Sequence, residues 1–134
     1  MNNMVWVAVV VAVVAVAALF ALKQGLFSSP GKVGPDGKPL PGQRIDGAQA
    51  KALVAEGAAL IDVRTPGEFA GGAIDGARNI PVQVLDQRMD EIGDKAAPVV
   101  VYCASGMRSN SAMRSLQAAG FQKVYDLGPK GAWH

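Results

Sequence analysis

Hydrophobic and polar positions divide the chain into three zones. Nineteen apolar residues follow one another without a break from Met4 to Leu22, and residues 1–22 contain no charged side chain. Residues 23–42 hold five Gly and four Pro, and from Gln43 onward short apolar runs alternate with amphipathic segments. We therefore predict a hydrophobic segment over 1–22, a Gly/Pro-rich linker over 23–42 and one small globular domain over 43–134.

The hydrophobic segment is long enough to cross a bilayer. As a helix, nineteen residues extend roughly 28 Å, close to the roughly 30 Å hydrocarbon core. We expect an uncleaved transmembrane anchor, which makes the lipid bilayer a partner of the chain. A cleaved export signal is the alternative. It is disfavoured because no Lys or Arg precedes the run, and because the best small-x-small site, Ala15-Val16-Ala17, lies inside the run.

The flanks of this segment indicate its orientation. Lys23, Lys32 and Lys38 follow the apolar run, and its N-terminal side carries no Lys or Arg. Because positive residues accumulate on the cytoplasmic side, we predict a single-pass protein of a bacterial inner membrane with its domain in the cytoplasm. A periplasmic domain is the alternative.

The periodicity of the domain predicts alternating helices and strands. Apolar residues at helical spacing and short apolar runs between turn signals give helices over 46–57, 82–92 and 110–119, and strands over 58–63, 98–102 and 123–127. Strands that alternate with helices pair in parallel. We therefore predict an α/β fold with a central parallel sheet flanked by helices on both faces.

Charge and composition exclude several classes of function. A formal net charge of +2 without a basic and aromatic cluster argues against nucleic-acid binding. The single Cys excludes a disulfide within the chain, and one Cys with one His disfavours a transition-metal site. We predict no metal and no other cofactor.

The candidate chemistry lies where the strand over 98–102 meets a helix. Cys103 follows this strand directly, and a loop of small residues leads to Arg108. Such a loop can direct backbone N–H groups at an anion, and Gly106 supplies the backbone freedom that this needs. The helix N-terminus and the Arg108 guanidinium add positive charge, so we expect Cys103 to be a thiolate near neutral pH.

A thiolate in an anion-binding loop is suited to sulfur chemistry. It can attack the outer sulfur of an anionic sulfur donor, and the resulting persulfide is an anion that the same N–H groups stabilise. No general base is needed because the nucleophile is already ionised. An inert, buried Cys at a strand end is the alternative interpretation.

Two stretches of the chain resemble the rhodanese family. VVVYCASGMRSNSA, with C-x-x-G-x-R-S at its core, is similar to the active-site loop of that family. LIDVRTPGEFAGGAIDGARNIP is similar to its upstream signature, D-V-R-x-x-x-E-[FY]…G-x-I-x-G-A-x-N-I-P. The chain therefore resembles a single-domain rhodanese of the thiosulfate sulfurtransferase-like kind.

The resemblance implies a role for each matched residue. Cys103 is the implied sulfur carrier between a small anionic donor and a cyanide or thiol acceptor. The implied substrate-binding loop consists of Ala104, Ser105, Gly106, Met107, Arg108 and Ser109. The matched signature residues are Asp62, Arg64 and Glu68, for which we expect mainly structural contacts: a carboxylate near the loop and an Arg–Glu pair.

The length and composition of the loop narrow the reaction. Four residues separate Cys103 from Arg108. Tyrosine and dual-specificity phosphatases have five residues in the similar C-x5-R loop, which makes a wider bowl for phosphate. The shorter loop therefore favours sulfur transfer over phosphatase or arsenate-reductase activity. The apolar Met107 favours a bulky or protein-bound sulfur partner.

Three functions compete on this chemistry. The first is a membrane-tethered sulfurtransferase that uses Cys103 as its nucleophile. The second is a sulfur-carrier module that passes persulfide to a specific protein and turns over small molecules poorly. The third is a redox sensor in which Cys103 oxidises and couples with an external thiol.

Overall fold

The computed structural model describes residues 31–134 of the chain. The predicted transmembrane segment and the first part of the linker lie outside these residues. Within 31–134, no helix combines the length and the apolar character needed to cross a bilayer. The anchor, its orientation and the domain boundaries therefore stay predictions.

The described part of the chain alternates helices and strands as the periodicity predicts. Its longer elements are α1 (Gly47–Ala55), β1 (Ala59–Asp62), α2 (Pro66–Ala70), β2 (Arg78–Asn79), α3 (Leu85–Arg88), β3 (Val99–Cys103), α4 (Met107–Ala118) and β4 (Val124–Pro129). Single 3-10 turns lie at Val82–Val84, Met89–Glu91 and Lys130–Trp133.

The four strands form one parallel sheet in the order β2-β1-β3-β4. This confirms the predicted central parallel sheet. The two inner strands, β1 and β3, are almost wholly buried. Because all the strands run the same way, their carboxyl ends share one edge of the sheet, where ligands of α/β folds bind. Cys103 ends β3 at this edge.

Side chains of β3 alternate between two hydrophobic clusters, one on each face of the sheet. Val99, Val101 and Cys103 pack with Leu116 of α4 in the first cluster. Val100 and Tyr102 pack in the second cluster with residues of α1, among them Ala50 and Leu53. The period of two along the strand thus places α1 and α4 on opposite faces, as predicted.

The predicted helix over 82–92 is wrong in its geometry and correct in its packing. The structure breaks it into a 3-10 turn, the short helix α3 and a second 3-10 turn, since Val84 and Arg88 have φ of −116° and −124°. The inward-facing positions nevertheless reach the first cluster, and they are Val82, Leu85, Met89 and Ile92. Contact with the core, rather than a continuous helix, maintains the apolar spacing here.

Periodicity missed α2 and β2 because they span only five and two residues. A local signal for α2 was present in the sequence. Thr65 is its N-cap, and its hydroxyl and the Glu68 carboxylate form a capping box, with Pro66 at the first helical position. Such a Thr-Pro-x-Glu pattern is a helix start even where no apolar stripe follows.

The second part of the predicted linker contacts the domain. Val33 and Pro39 form an antiparallel bridge, and Pro39 is buried. Gly42 N–H donates to the Val124 carbonyl over 2.7 Å. Pro and Gly therefore build turns in residues 31–42 that lie against the folded domain.

Candidate active site

Cys103 lies at the carboxyl edge of the sheet and is fully buried. It is in register with Pro129 of β4, after a shift in strand pairing between Val101 and Tyr102. Its side chain borders the first hydrophobic cluster on one side. The loop that follows β3 lies on the other side, so the sulfur is placed between apolar core and backbone amides.

The loop turns sharply at Gly106, which has a φ of +100°. The N–H of this residue donates to the Cys103 Sγ over 2.9 Å. Ser109 Oγ lies 3.5 Å from the same sulfur and donates to the Gly106 carbonyl over 3.1 Å. Gly106 and Ser109 are buried. The structure therefore brings Cys103, Gly106 and Ser109 of the predicted site together.

Helix α4 begins at Met107, three residues earlier than predicted. Its N-cap is Gly106, which has no side chain to satisfy the first amides of the helix. The positive end of the helix dipole is therefore directed at the sulfur rather than neutralised by a cap. Of the predicted loop, Met107, Arg108 and Ser109 belong to the first turn of this helix.

The environment of Cys103 favours a thiolate. Burial raises the pKa of the thiol, but the hydrogen bond with the Ser109 side chain and those from the backbone N–H groups of Ser109, Gly106 and Ser105 outweigh it. The pKa is therefore lowered from its ordinary value. The direction agrees with the predicted loop of inward-facing amides.

The positive charge that we expect Arg108 to add at the sulfur is instead paired with a carboxylate. Arg108 Nη1 and Nη2 donate to the two carboxylate oxygens of Glu68 over 2.6 and 3.0 Å. The hydrogen bonds from Arg108 and from the Thr65 backbone lower the pKa of Glu68 to about 2. The expected Arg–Glu pair thus forms with Arg108 and not with Arg64, because α2 carries Glu68 to the start of α4.

Arg64 instead pairs with Asp62, and both side chains are buried. Its Nη2 donates to Asp62 Oδ2 over 2.7 Å and to the Gly72 carbonyl over 2.8 Å. Asn79 Nδ2 donates to the carbonyls of Asp62 and Arg64 over 3.1 and 2.9 Å. These contacts hold the chain between β1 and β2.

Three residues of the predicted loop are exposed. They are Ala104, Ser105 and Met107, of which Met107 is 81% exposed. The Met107 side chain therefore faces solvent and takes no part in the hydrogen bonds around the sulfur.

Sequence reasoning missed Arg44, which lies against the loop. Its Nε donates to Asp126 Oδ2 over 3.0 Å, and its Nη2 lies 3.5 Å from the Gly106 carbonyl oxygen. Arg44 and Gly106 are 62 positions apart in the chain. No local pattern marks Arg44, since it precedes the first helix as an isolated cation.

The region that carries this site matches a known family. A model of the rhodanese-like domain matches residues 46–129, from the N-cap of α1 to the end of β4. The chain belongs to the rhodanese-like domain family. The match includes Cys103 and its loop, whereas Arg44 lies just outside it.

Relatives of this rhodanese-like domain include curated proteins and solved structures. It is 51% identical over 71 residues to the uncharacterized protein YqhL of Bacillus subtilis, a match that covers 52% of this chain and 55% of YqhL. It is 38% identical over 85 residues to thiosulfate sulfurtransferase GlpE of Ectopseudomonas mendocina, covering 63% of this chain and 77% of GlpE. The human single-domain sulfurtransferase TSTD1 superposes with a TM-score of 0.58 at 26% identity, over 66% of this chain and 89% of that one.

Proposed function

We propose that this rhodanese-like domain is a sulfurtransferase that moves sulfane sulfur through a persulfide on Cys103. Thiosulfate or a similar anion is the donor, and cyanide or a thiol is the acceptor. The Gly106 N–H, 2.9 Å from the sulfur at an uncapped helix start, is the observation that carries the proposal. Relatives named thiosulfate sulfurtransferase support the same substrate class.

The two steps balance without a cofactor. The Cys103 thiolate attacks the outer sulfur of thiosulfate, the S–S bond of the donor breaks, and sulfite leaves with its electron pair. Cys103 then carries a persulfide anion. Cyanide attacks the terminal sulfur of this persulfide, thiocyanate leaves, and the Cys103 thiolate returns. No proton has to move in either step, which fits a site whose pKa shift already favours the thiolate.

Access to the sulfur requires a small movement of the loop. Cys103 is fully buried, whereas Ala104 and Ser105 beside it are exposed. We expect the donor to approach from the side of these two residues, where the loop amides can stabilise the terminal sulfur of the persulfide.

Intact-mass spectrometry after thiosulfate treatment tests the proposal. We expect a gain of one sulfur atom on the wild type, none on Cys103→Ala, and reduced loading on Arg108→Ala because the Glu68 carboxylate is then left unpaired beside the start of α4. Arg114→Ala removes an exposed cation elsewhere on α4 and is the matched control. Absence of sulfur on the wild type contradicts the proposal, and full loading of Arg108→Ala contradicts the role of that charge.

A sulfur-carrier function is the second candidate, and the exposure of Met107 favours it. An apolar side chain beside the loop suits a protein-bound sulfur partner better than a small dianion. Steady-state transfer to cyanide separates the two. Rapid turnover supports the enzyme, whereas stoichiometric loading without turnover supports the carrier.

We also propose that residues 1–22 tether the domain to a membrane, with the domain in the cytoplasm. Support comes from the unbroken apolar run of Met4–Leu22 and from the lysines that follow it. Protease treatment of spheroplasts and of inverted vesicles tests the orientation. Cleavage of the domain in inverted vesicles alone is the expected result, and cleavage in spheroplasts alone indicates the periplasmic alternative.

A further inference from the structure

Arg44 is anchored beside β4 by backbone and side-chain contacts. Ile45 N–H donates to the Asp126 carbonyl over 2.9 Å, and Asp126 N–H donates to the Gln43 carbonyl over 3.0 Å. Residues 43–45 thereby extend along β4 and bring Arg44 into register with Asp126. The Asp126 carboxylate is fully buried and takes the Arg44 Nε on one oxygen and the Gly128 N–H, at 2.8 Å, on the other.

Two glycines make room for the Arg44 guanidinium at the active-site loop. Gly106 and Gly128 both have positive φ, of +100° and +81°. A Cβ on Gly106 would lie 2.8 Å from Arg44 Nη2, and a Cβ on Gly128 would overlap the guanidinium. The guanidinium therefore occupies the space where other residues would have side chains. The backbone at these two glycines therefore fixes the position of the guanidinium.

The charge of Arg44 lies near the positive end of a helix. Gly106 is the N-cap of α4, where the helix dipole is already positive. A cation at this end is repelled by the dipole, and the Asp126 carboxylate offsets this repulsion. Asp126 takes the Arg44 Nε, which leaves Nη1 and Nη2 on the side of Gly106. By contrast, Arg108 gives both of its Nη groups to Glu68.

We propose that Arg44 is a positioning residue for Cys103. Held by Asp126, it keeps a positive charge and a donor against Gly106, and so favours the anionic sulfur as the thiolate and as the persulfide. The persulfide part of this inference rests on the proposed sulfurtransferase function, and the thiolate part does not. Arg44 acts through Gly106 and through its charge, and does not itself contact the sulfur.

Other charged groups near the loop also affect the ionisation of Cys103. Three cations there have a carboxylate partner: the pairs are Arg44–Asp126 beside β4, Arg108–Glu68 between α4 and α2, and Arg64–Asp62 after β1. Removing Arg44 leaves the negative charge of the buried Asp126 unbalanced near the loop. This unbalanced negative charge disfavours the thiolate.

The pH dependence of Cys103 alkylation by iodoacetamide tests the inference. Arg44→Gln keeps a donor but loses the charge, and we expect its inflection to move up by about half a unit to one unit. This corresponds to a roughly threefold to tenfold slower reaction below the inflection. Arg44→Lys keeps the charge and should stay within a small fraction of this shift. Arg114→Gln, on the exposed side of α4, is the matched control and should follow the wild type.

The outcomes are distinguishable from a failure of the proposed function. An unshifted inflection in Arg44→Gln overturns the inference, and so does an equal shift in Arg44→Lys and Arg44→Gln. Half of the Arg44 side chain is exposed, so we expect both variants to fold. Thermal unfolding of each variant checks this expectation. If the wild type takes no sulfur from thiosulfate, the proposed function fails, while the alkylation profile still decides the role of Arg44.

Discussion

Gly106→Ala tests whether the loop backbone controls the reactivity of Cys103. The φ of Gly106 is +100°, a region where a Cβ costs roughly 1–3 kcal/mol. The new Cβ would also lie 2.8 Å from Arg44 Nη2, which must move. If the loop relaxes to relieve this strain, the N–H at 2.9 Å from the sulfur turns away.

The size of the effect follows from the lost hydrogen bond. A hydrogen bond to a charged group contributes about 1.5–3 kcal/mol. Since 1.36 kcal/mol corresponds to one pKa unit, losing this bond raises the thiol pKa by about 1–2 units. We expect the alkylation inflection of Cys103 to move up by that amount, and sulfur loading from thiosulfate at neutral pH to fall in proportion to the thiolate fraction.

Gly57→Ala is the matched control for backbone strain. Gly57 has a φ of +103°, and no heavy atom lies within 4 Å of its Cβ position. It lies just after the end of α1, away from the active-site loop. Both variants should lose similar stability in urea denaturation, and only Gly106→Ala should change the alkylation profile. A wild-type profile in Gly106→Ala, at a stability loss equal to that of Gly57→Ala, would refute the role assigned to the Gly106 N–H.

Two further substitutions test the supports of the site. Since the pKa of Glu68 is lowered from 4.5 to about 2, its carboxylate stabilises the fold above pH 4.5 and loses this effect as the pH falls towards 2. The gap in urea midpoint between wild type and Glu68→Gln should therefore narrow from pH 5 to pH 2, and a constant gap argues against the Arg108 pair. Tyr102→Phe removes the hydroxyl that accepts the buried Ile74 N–H over 3.1 Å. It should cost about 1–3 kcal/mol of unfolding free energy in urea, and wild-type stability would contradict this.

The sequence pattern predicted the parts of the fold that depend on one periodic segment at a time. The strand predicted over 98–102 corresponds to β3, and the helix predicted over 110–119 corresponds to α4, whose Ala112, Met113 and Leu116 are buried. Asp46, at the start of the helix predicted over 46–57, is the N-cap of α1, since its side chain accepts from Gln49 N–H. Elements shorter than a helical turn or two have no period to detect, which is why α2 and β2 were missed.

In the candidate site, only contacts between residues that are close in the chain could be predicted from the sequence. Cys103 and Gly106 could be placed because their contacts lie within one strand–loop–helix unit. The ion pairs of Arg108 and Arg44 could not be predicted, because they depend on which distant segments of the chain meet. Arg108 and Glu68 are 40 positions apart, and Arg44 and Asp126 are 82 positions apart. A guanidinium in a sequence has no unique partner until the sheet order brings a carboxylate to it.

Because the cations around the loop are paired, the backbone must supply most of the stabilisation of the anionic sulfur. Arg44 and Arg108 each have a carboxylate partner, so the two pairs bring no net charge, and Arg44 acts on the sulfur only because its guanidinium lies close to Gly106. The positive potential at the sulfur therefore comes mainly from the amides of the loop and from the uncapped start of α4. Thiosulfate, a dianion, is repelled by the thiolate that it must approach, and neutral pairs offset this only over short distances. Salt should therefore change donor binding more than thiolate formation, because the amides that stabilise the sulfur are buried and the approach to it is exposed.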